Sequence, residues 1–478
     1  MEFEPQTYSA IAGNRVLVDG ELQPATVRIA DGRITAIEVG TVDPHAENFG
    51  DLCILPGLVD AHVHLNEPGR THWEGFETGT KAAASGGVTT VVDMPLNAIP
   101  PTTCVENFEI KLKAAAGQCW VDVAFWGGLV PWNVADLVPL LERGVRGFKC
   151  FLIDSGVVDF PMVDLPTVKA AMQAMQGHAG VLMFHAEMDC GQCGAHSDEE
   201  EDAVLMPTLS RGHPHPPILN YREEVKDWTS YANFLNSRPD KWEVDAINAV
   251  IQLGREVPDV DLHIVHLATH EALPSLVQAR KDGVRITAET CFHYLALDSE
   301  SIPKKDTLYK CCPPIRSKQT QNALWQALED GHISSVVSDH SPCTPNLKLL
   351  DLGDFLQAWG GIASVGLGLT ILHTESHGRL TLPQIMELTS AAPARQAGLE
   401  HRKGGIKVGL DADFCIFDPS VEWTFQQNLM HFKNKYTPYN GRRVRGRVQE
   451  TILRGRRIYA YGHRFAPAQG NTILEPRK

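Results

Sequence analysis

Hydrophobic and polar residues alternate in short runs near both ends of the chain, and turn residues separate these runs. Asp19-Gly20 and Asp31-Gly32 each lie between two runs, and Asp-Gly in that position is the strongest short signal of a β-hairpin. The same alternation returns after residue 403. We therefore predict that residues 1–55 and 403–478 build one small β-sandwich domain, with the rest of the chain inserted between them.

The middle of the chain, residues 56–402, alternates apolar strand-like runs with helical segments. This order is typical of repeated βα units, whose strands form a parallel sheet. The runs lie at 58–65, 88–94, 121–130, 147–153, 181–188, 261–267, 285–294 and 333–340. Eight such units predict an α/β fold with a (β/α)8 TIM-like barrel. Helices are expected between the runs, for example over 76–86, which ends in glycine, and over 319–330.

One connection in the predicted barrel, residues 189–239, is longer than a normal βα loop. Long loops at the C-terminal face of such barrels usually shape the substrate pocket, so we predict an inserted active-site loop region here. The loop contains Cys190 and Cys193 in CxxC spacing. Because no second pair follows at the distance of a zinc finger, two reduced loop cysteines are favoured over a zinc knuckle or a redox pair.

The overall composition narrows the choice of partners and compartment. The 478 residues carry a formal net charge of -15, and the pI is near 5.7. Nucleic-acid binding normally needs a basic face, so we expect a small-molecule substrate and no nucleic-acid partner. We expect no membrane contact, because no apolar run is long enough to span a bilayer, and the first residues lack a secretion-signal pattern. Eleven cysteines scattered through apolar segments suit a reducing compartment, which favours the cytoplasm.

The first barrel strand carries a pair of histidines, His62 and His64. Successive strand side chains alternate faces, so these two imidazoles point the same way. A pair of buried neutral histidines is costly unless something accepts their lone pairs, and a divalent metal is the usual solution. The alternative is a pair of hydrogen-bonded core histidines. The polar segments that follow indicate an exposed rim, and this favours the metal.

A lysine, Lys149, stands inside the otherwise apolar fourth strand. Burial lowers the pKa of a lysine, and the neutral amine is a nucleophile toward carbon dioxide. The resulting carbamate would be an anion able to bridge two cations. An ion-paired core lysine is the alternative, and this residue alone does not separate the two.

Further polar residues close the later strands. His185 ends the fifth strand, and Asp339 ends the eighth, where it offers a hard oxygen ligand and a proton carrier. His263 and His266 in the sixth strand have opposite parity, and we favour His266 because it lies nearer the strand's C-terminal end. His340 beside Asp339 is expected to support the site or line the pocket.

Together these residues predict a two-metal centre at the C-terminal ends of the barrel strands. The predicted ligands are His62, His64, Lys149, His185, His266 and Asp339. A pair of divalent metals activates water near neutral pH and polarises a carbonyl. The predicted reaction class is therefore hydrolysis of a carbon–nitrogen or ester bond.

Four segments, at 57–70, 93–97, 147–152 and 338–343, resemble the cyclic amidohydrolases of the amidohydrolase superfamily, and the resemblance covers nearly the whole chain. Within that group the chain most closely resembles the allantoinase family, and more distantly dihydroorotase and dihydropyrimidinase. Carried over position by position, the resemblance implies two divalent metal ions, usually zinc, on the six ligands given above. It also implies carboxylation of Lys149 by carbon dioxide.

The resemblance further implies the reaction and the assembly. Asp339 is implied to be the catalytic residue that takes the proton of the attacking hydroxide and returns it to the leaving ring nitrogen. The implied substrate is allantoin, whose hydantoin ring is opened with water to give allantoate. Relatives suggest a homo-oligomer, with a tetramer as one candidate. A non-catalytic scaffold of this superfamily would have lost metal ligands, whereas every ligand position is filled here.

Three residues outside the predicted metal shell bear on the substrate. Asn66 occupies the position where dihydroorotases carry an arginine for the substrate carboxylate, which fits a ring without a carboxylate. Asn97 is predicted to hydrogen-bond the ring or its ureido group, or else to cap a turn. Arg70 is predicted to clamp the substrate or to brace a nearby glutamate. A hydantoinase or dihydropyrimidinase activity stays open as the second candidate, although those enzymes commonly place a tyrosine shortly after the lysine, where this chain has Ile153-Asp154-Ser155.

Overall fold

The computed structural model describes residues 6–189, 227–462 and 464–477. Cys190, Cys193 and most of the predicted active-site loop, 190–226, lie outside the described residues. The first strands are β1 (Ala10–Val18), β2 (Glu21–Ala30), β3 (Arg33–Val39), β4 (Glu47–Asn48) and β5 (Cys53–Pro56). Strands β1, β2 and β3 are consecutive antiparallel neighbours. Their turns contain Asp19 and Asp31 in the left-handed region, each followed by a glycine, which confirms the predicted Asp-Gly hairpins.

The middle of the chain forms the predicted barrel. Its strands are β6 (Leu58–Val63), β7 (Val88–Asp93), β8 (Asp122–Phe125), β9 (Gly127–Gly128), β10 (Gly147–Phe151), β11 (Val181–His185), β12 (Asp261–Ile264), β13 (Ile286–Cys291) and β14 (Ser335–Val337). All pair in parallel, in the orders β6-β7-β8 and β9 to β14. A parallel bridge between Val63 and His340 joins β6 to the end of β14.

Strands β8 and β9 together correspond to one predicted run, which is interrupted at Trp126. The Trp126 amide donates to the Asp93 carbonyl, and its indole nitrogen donates to the Ala61 carbonyl. The pattern of eight strand positions predicted from the sequence is therefore confirmed. The carboxyl ends of all eight converge at one face, where a site built from several strands is expected.

The last strands return to the sheet formed by the first ones. They are β15 (Phe414–Thr424), β16 (Arg443–Leu453), β17 (Arg456–Ala460) and β18 (Arg464–Phe465). One nine-stranded sheet runs in the order β18-β17-β16-β15-β5-β1-β2-β3, with β4 paired to β1. The pairing of β15 with β5 joins the two ends of the chain, as predicted for the β-sandwich unit. The exact limits of the two domains stay a prediction.

The helices lie mainly between the barrel strands. The α-helices are α1 (Phe76–Ser85), α2 (Val105–Ala115), α3 (Leu137–Arg143), α4 (Leu165–Met175), α5 (Tyr231–Asn236), α6 (Asp240–Glu256), α7 (Leu273–Lys281), α8 (Phe292–Ala296), α9 (Lys318–Glu329), α10 (Pro345–Lys348), α11 (Gly368–Glu375), α12 (Leu382–Met386) and α13 (Ala392–Gln396). A π-helix spans Glu387–Ala391, and short 3-10 helices span Val134–Asp136, Ser299–Ser301, Thr307–Tyr309 and Gln427–Leu429. Within the described ranges, every helix is too short or too polar to cross a membrane.

Both helices predicted explicitly from the sequence are present. Helix α1 ends at Gly86, where a Cβ atom would lie 2.0 Å from the Gly366 carbonyl oxygen, so the close approach of the two segments requires glycine. Helix α9 begins after Ser317, whose side chain accepts a hydrogen bond from the Thr320 amide. These caps explain why the helices begin and end where the sequence predicts.

A buried ion cluster connects the barrel to the terminal sheet. The Lys403 ammonium lies 2.7 Å from Asp122, 3.0 Å from Asp411 and 2.6 Å from Asp413. Arg454 also contacts Asp122. Asp122 begins strand β8, so this cluster lies at the end of that strand opposite to the candidate site.

Candidate metal centre

All six predicted ligands lie together at the carboxyl ends of the barrel strands, and all six are buried. His62 lies in β6, Lys149 in β10 and His185 at the end of β11. His64, His266 and Asp339 follow β6, β12 and β14 within two residues. They line a single cleft that encloses about 680 Å³ of space between atoms.

His62, His64 and Asp339 form one side of this cluster. The Oδ1 atom of Asp339 lies 3.1 Å from His62 Nε2 and 3.5 Å from His64 Nε2. One ligand atom from each of the three residues lies within 4.8 Å of the other two. Burial raises the pKa of Asp339, but the neighbouring imidazoles lower it by more, to about 2. Asp339 is therefore a carboxylate at neutral pH.

The other side consists of His185, His266 and Lys149. His185 Nδ1 lies 3.0 Å from His266 Nε2, which is 3.4 Å from the Lys149 ammonium nitrogen. Burial lowers the pKa of His185 to about 4 and that of His266 well below its ordinary value. Both rings are therefore neutral near pH 7 and present lone pairs.

Lys149 is almost fully buried, and the described residues give it no carboxylate within 4.0 Å. Burial lowers the pKa of its ammonium to about 8. The predicted alternative, an ion-paired core lysine, has no partner in the described part of the chain. A neighbouring buried lysine shows the contrast, since Lys111 pairs with Asp93 at 2.5 Å.

Hydrogen bonds behind the histidines fix which ring nitrogen faces the cluster. His64 Nδ1 lies 2.6 Å from the Leu96 carbonyl oxygen, which only accepts, so Nδ1 carries the hydrogen and Nε2 faces Asp339. His62 Nδ1 is held by Glu289 at 2.5 Å, and His185 Nε2 by Glu187 at 2.7 Å. Each of these histidines thus keeps one free lone pair directed toward the cluster.

Two further functional residues, Glu187 and Glu289, were not predicted from the sequence, and both are fully buried. Glu187 lies two residues after His185, and this shared parity is a signal that could have revealed it. Glu289 is a charged residue inside the apolar strand β13, which is a second such signal. His263, which was not chosen as a ligand, is hydrogen-bonded at both ring nitrogens. Its Nδ1 atom contacts the Thr287 hydroxyl, and its Nε2 atom contacts the Glu289 carboxylate.

His340 supports the loop that follows β14. Its Nδ1 atom accepts hydrogen bonds from the Ser364 and Val365 amides, so its Nε2 carries the hydrogen that is shared with Glu74 at 3.2 Å. Both ring nitrogens are thereby occupied. His340 holds the segment that carries Asp339 rather than facing the other ligands.

Backbone strain concentrates at the same strand ends. His266 and Asp339 have φ angles of 40° and 44°, in the left-handed region that non-glycine residues seldom adopt. Asn66 has a φ of 63°. Residues held in such conformations cluster at functional sites, where surrounding contacts hold them in place.

The three predicted substrate residues differ in their placement. Asn97 lines the cleft, whereas Asn66 and Arg70 are not among the described residues that line it. The Asn66 amide donates to the Pro342 carbonyl, and its oxygen accepts from the Asn97 amide at 3.4 Å. Arg70 donates to the Asn97 carbonyl at 3.1 Å and stacks on Trp73. Asn66 and Arg70 thus contact Asn97 from outside the cleft and support its position.

The remaining cleft wall contains both apolar and polar side chains. It includes Leu96, Phe151, Cys312 and Trp359 together with Asp154, Ser155 and Ser341. Arg238 also lines the cleft, but its guanidinium is bonded to both carboxylate oxygens of Glu187. A concave cleft with convergent polar groups is typical of a small-molecule site.

The donor set fits a divalent cation on physical grounds. Burial lowers the pKa of His62, so its ring is neutral, and its Nε2 lone pair then faces the Asp339 carboxylate with no hydrogen between them. His62 Nε2 is buried without a hydrogen-bond partner. A lone pair against an anion is repulsive, and a cation between them removes the repulsion. The cluster is therefore suited to a divalent metal centre.

Comparisons with known proteins agree with this arrangement. The sequence profile of the amidohydrolase family matches residues 53–458. An allantoinase from Saccharomyces cerevisiae is 46% identical over 490 residues, which cover 98% of this chain and 99% of the relative. An allantoinase from Streptomyces avermitilis is 42% identical over 97% of this chain and 98% of its own.

Solved structures give the same fold. The L-hydantoinase from Arthrobacter aurescens superposes with a TM-score of 0.86 at 25% identity, over 98% of this chain and 100% of its own. The combination of a barrel and a β-sandwich is thus shared with this enzyme. Because the sequence matches extend over nearly the full length of both chains, the protein is a cyclic amidohydrolase enzyme. The chain belongs to the amidohydrolase family and, within it, to the allantoinases.

Proposed function

We propose that the protein hydrolyses the ring amide of allantoin with water and releases allantoate. The observation that carries this proposal is the 3.1 Å contact between His62 Nε2 and the Asp339 carboxylate inside a complete set of six buried donors. The relatives named allantoinase, at 36–46% identity, support the choice of substrate.

Two divalent ions, most simply zinc, would be held by the six donors. His62 and His64 would serve one ion, His185 and His266 the other, and Asp339 and Lys149 complete the set. When bound, such ions activate water near neutral pH and polarise the scissile carbonyl. Each histidine has a free lone pair for this purpose, because its other nitrogen is occupied or the ring is neutral.

Lys149 is proposed to react with carbon dioxide. The amine nitrogen forms a bond to the carbon of carbon dioxide and loses one proton, which leaves a carbamate anion. This reaction requires the neutral amine, and burial provides it by lowering the pKa of Lys149 to about 8. An anion at this position would also compensate the cations that the histidines bind.

Asp339 is the proposed proton carrier. It is ionised at neutral pH, and its Oδ1 atom lies within 3.5 Å of both His62 Nε2 and His64 Nε2. As the attacking water forms its bond to the carbonyl carbon, Asp339 takes its proton and then delivers it to the ring nitrogen as the carbon–nitrogen bond breaks. The strained backbone at Asp339 fixes the carboxylate in this position.

The cleft suits an uncharged ring with amide groups. Asn97 offers a carboxamide that can pair with the ring or with the ureido group. Its amide nitrogen donates to the Asn66 side-chain oxygen, and Arg70 donates to the Asn97 main-chain carbonyl. Among the described residues that line the cleft, the arginine is Arg238, and its charge is already paired with Glu187. A substrate carboxylate would therefore enter the cleft without a free arginine to pair with it.

One comparison of substrates tests the proposal. The purified protein, supplied with zinc and bicarbonate, would be assayed on allantoin, hydantoin, dihydrouracil and dihydroorotate, and kcat/KM compared. We expect a preference for allantoin. A preference for hydantoin or dihydrouracil would instead support the hydantoinase activity of the structural neighbours, and a preference for dihydroorotate would overturn the argument from the cleft.

We further propose a homo-oligomer, with a tetramer as the first candidate, and a cytoplasmic location. The nine cysteines of the described part of the chain are free thiols, seven of them buried, which suits a reducing compartment. Light scattering of the purified protein would give the number of subunits, and a monomer at micromolar concentration would contradict the first of these proposals.

A further inference from the structure

Two buried carboxylates stand behind the candidate centre, one on each side. Glu289 Oε1 lies 2.5 Å from His62 Nδ1, and Glu187 Oε2 lies 2.7 Å from His185 Nε2. Both glutamates are fully buried, and each contacts the ring nitrogen that faces away from the cluster. A carboxylate in this position fixes the tautomer and orientation of a metal-binding histidine and makes its other nitrogen more basic.

The surroundings of the two carboxylates differ. Glu187 is bonded by the Arg238 guanidinium through both of its oxygens, with Arg238 Nε 3.0 Å from Oε1. The second oxygen of Glu289 instead contacts His263 Nε2 at 3.1 Å and the Gln396 carboxamide at 3.2 Å. One carboxylate is therefore neutralised by a fixed cation, whereas the other has an imidazole and a carboxamide as its remaining partners.

We propose that Glu289 and Glu187 are positioning residues for the two halves of the metal centre, and that the halves hold their ions unequally because only Glu187 is neutralised by an arginine. Among the described residues no arginine or lysine pairs with Glu289, so its negative charge acts more strongly on His62 and strengthens that half. Arg238 offsets the charge of Glu187 and weakens the effect on His185. This inference rests on the two-metal centre of the proposed function.

The physical basis is the low dielectric of the site. Charges act over several ångströms in a buried environment, because there is little screening. The loss or neutralisation of one carboxylate therefore changes the electrostatic potential at the neighbouring ring. Asp339 adds a further anion to the half that contains His62 and His64. Both effects have the same sign, and we expect the ion at His185 and His266 to leave first.

Graded removal of zinc from the loaded protein tests the inference without an activity assay. The wild-type protein, loaded with zinc and bicarbonate, would be dialysed against increasing dipicolinate, and bound zinc per chain would be measured by mass spectrometry. We expect two zinc ions per chain, released in two steps. Release of both ions in one step would overturn the inequality of the two halves.

Two glutamine variants assign the steps. Glu187→Gln should move the first step to about 10- to 100-fold lower dipicolinate and leave the second in place, which is the usual range for the loss of such a partner. Glu289→Gln should move the second step toward the first by a similar factor. Glutamine keeps the size of the side chain and one acceptor oxygen for the histidine. Its NH2 group replaces the other oxygen, so each variant removes the charge together with one acceptor.

Asp122→Asn is the matched control. Asp122 is also a fully buried, ion-paired carboxylate, but it lies at the opposite end of strand β8 and contacts Lys403 rather than a histidine. Its zinc release should match that of the wild-type protein. An equal shift in Asp122→Asn, or wild-type release from both glutamine variants, would overturn the proposal.

Two aspartate variants are included in case the glutamine variants do not fold. Glu187→Asp and Glu289→Asp keep the charge but withdraw it by one methylene, so each should shift the same step as its glutamine counterpart by a smaller factor. A shift in the other step would contradict the assignment. A wild-type protein that binds no zinc would instead refute the metal centre of the proposed function, and the two failures are thus distinguishable.

Discussion

The Nε2 atom of His62 lies 3.1 Å from the Oδ1 atom of Asp339, and because burial lowers the pKa of His62 and Glu289 binds its Nδ1, Nε2 presents a lone pair to that carboxylate. Glu289 occupies the hydrogen-bearing nitrogen of the ring on its far side. Two lone-pair atoms at this distance repel each other unless a cation joins them. This contact therefore connects the metal site and the proton carrier of the proposed reaction.

The first prediction concerns Asp339 itself. Asp339→Asn should lower kcat by about 10²- to 10⁴-fold, because the amide can neither take the proton from water nor deliver it to the ring nitrogen. Allantoin binding, measured by calorimetry on the zinc-loaded variant, should change little. Full turnover in Asp339→Asn would rule out its role in proton transfer, whereas a loss of binding equal to the loss of turnover would indicate a substrate contact.

The second prediction concerns the lysine carbamate. Lys149→Ala should abolish turnover and reduce bound zinc, since the bridging anion is lost. Added acetate or propionate should restore part of both, because a short carboxylic acid can occupy the space of the side chain and supply an anion. Turnover and zinc content in the presence and absence of the acids are the measurements.

Lys111→Ala provides the control for that experiment. Lys111 is equally buried, but its ammonium pairs with Asp93 and the Met94 carbonyl. Its removal leaves an unpaired buried carboxylate, so we expect lower stability and no rescue by acids. A fully active Lys149→Ala protein, or equal rescue of both variants, would contradict the carbamate.

The strand ends of the site could be predicted because local patterns determine them. Apolar runs of strand length, each closed by a polar residue, indicate where side chains leave a barrel strand. His185 and Asp339 follow this rule and lie together in the cleft, whereas His62 and Lys149 lie inside their strands. Position along the strand was also sufficient to choose between His263 and His266, because His266 follows the end of β12 and lines the cleft.

The contacts behind the ligands could not be predicted in the same way. Glu289 pairs with His62 across 227 positions of the chain, and no local pattern specifies such a partner. Asn66 shares parity with His64, which suggests a side chain directed toward the substrate. Its positive φ turns the chain just after the strand ends, so that its amide reaches Pro342 instead. Parity therefore applies only while the backbone stays extended.

The third prediction concerns stability and pH. Lys403→Met removes the cation that pairs with Asp122, Asp411 and Asp413, and should lower the free energy of unfolding by about 3–5 kcal/mol at pH 7. Burial lowers the pKa of Lys403, but these carboxylates raise it by more. The stabilisation is therefore complete below pH ~10, the ordinary range of lysine, and is lost only at higher pH.

Acid should reduce the defect of the Lys403→Met variant. Without the ammonium, the three buried carboxylates repel one another, and their pKa values should rise above those of the unfolded chain. The native state then binds more protons than the unfolded state, so the stability of the variant should rise relative to wild type from pH 7 to pH 5. Urea unfolding at several pH values measures this. Lys169→Met, which breaks an exposed pair with Glu256, should cost less than about 1 kcal/mol at every pH.

The last prediction separates a substrate contact from its support. Asn97 lines the cleft, and its side-chain amide donates to the Asn66 oxygen at 3.4 Å. Asn97→Ala should therefore reduce kcat/KM for allantoin about 10- to 100-fold. Asn66→Ala should lower kcat/KM because the Asn97 amide loses this partner. The double variant should then be no worse than Asn97→Ala alone, with a coupling energy of about 0.5–3 kcal/mol. Kinetics of the wild type and the three variants complete the cycle. If the two effects add, Asn66 contacts the substrate independently, as its place beside His64 in the sequence predicts.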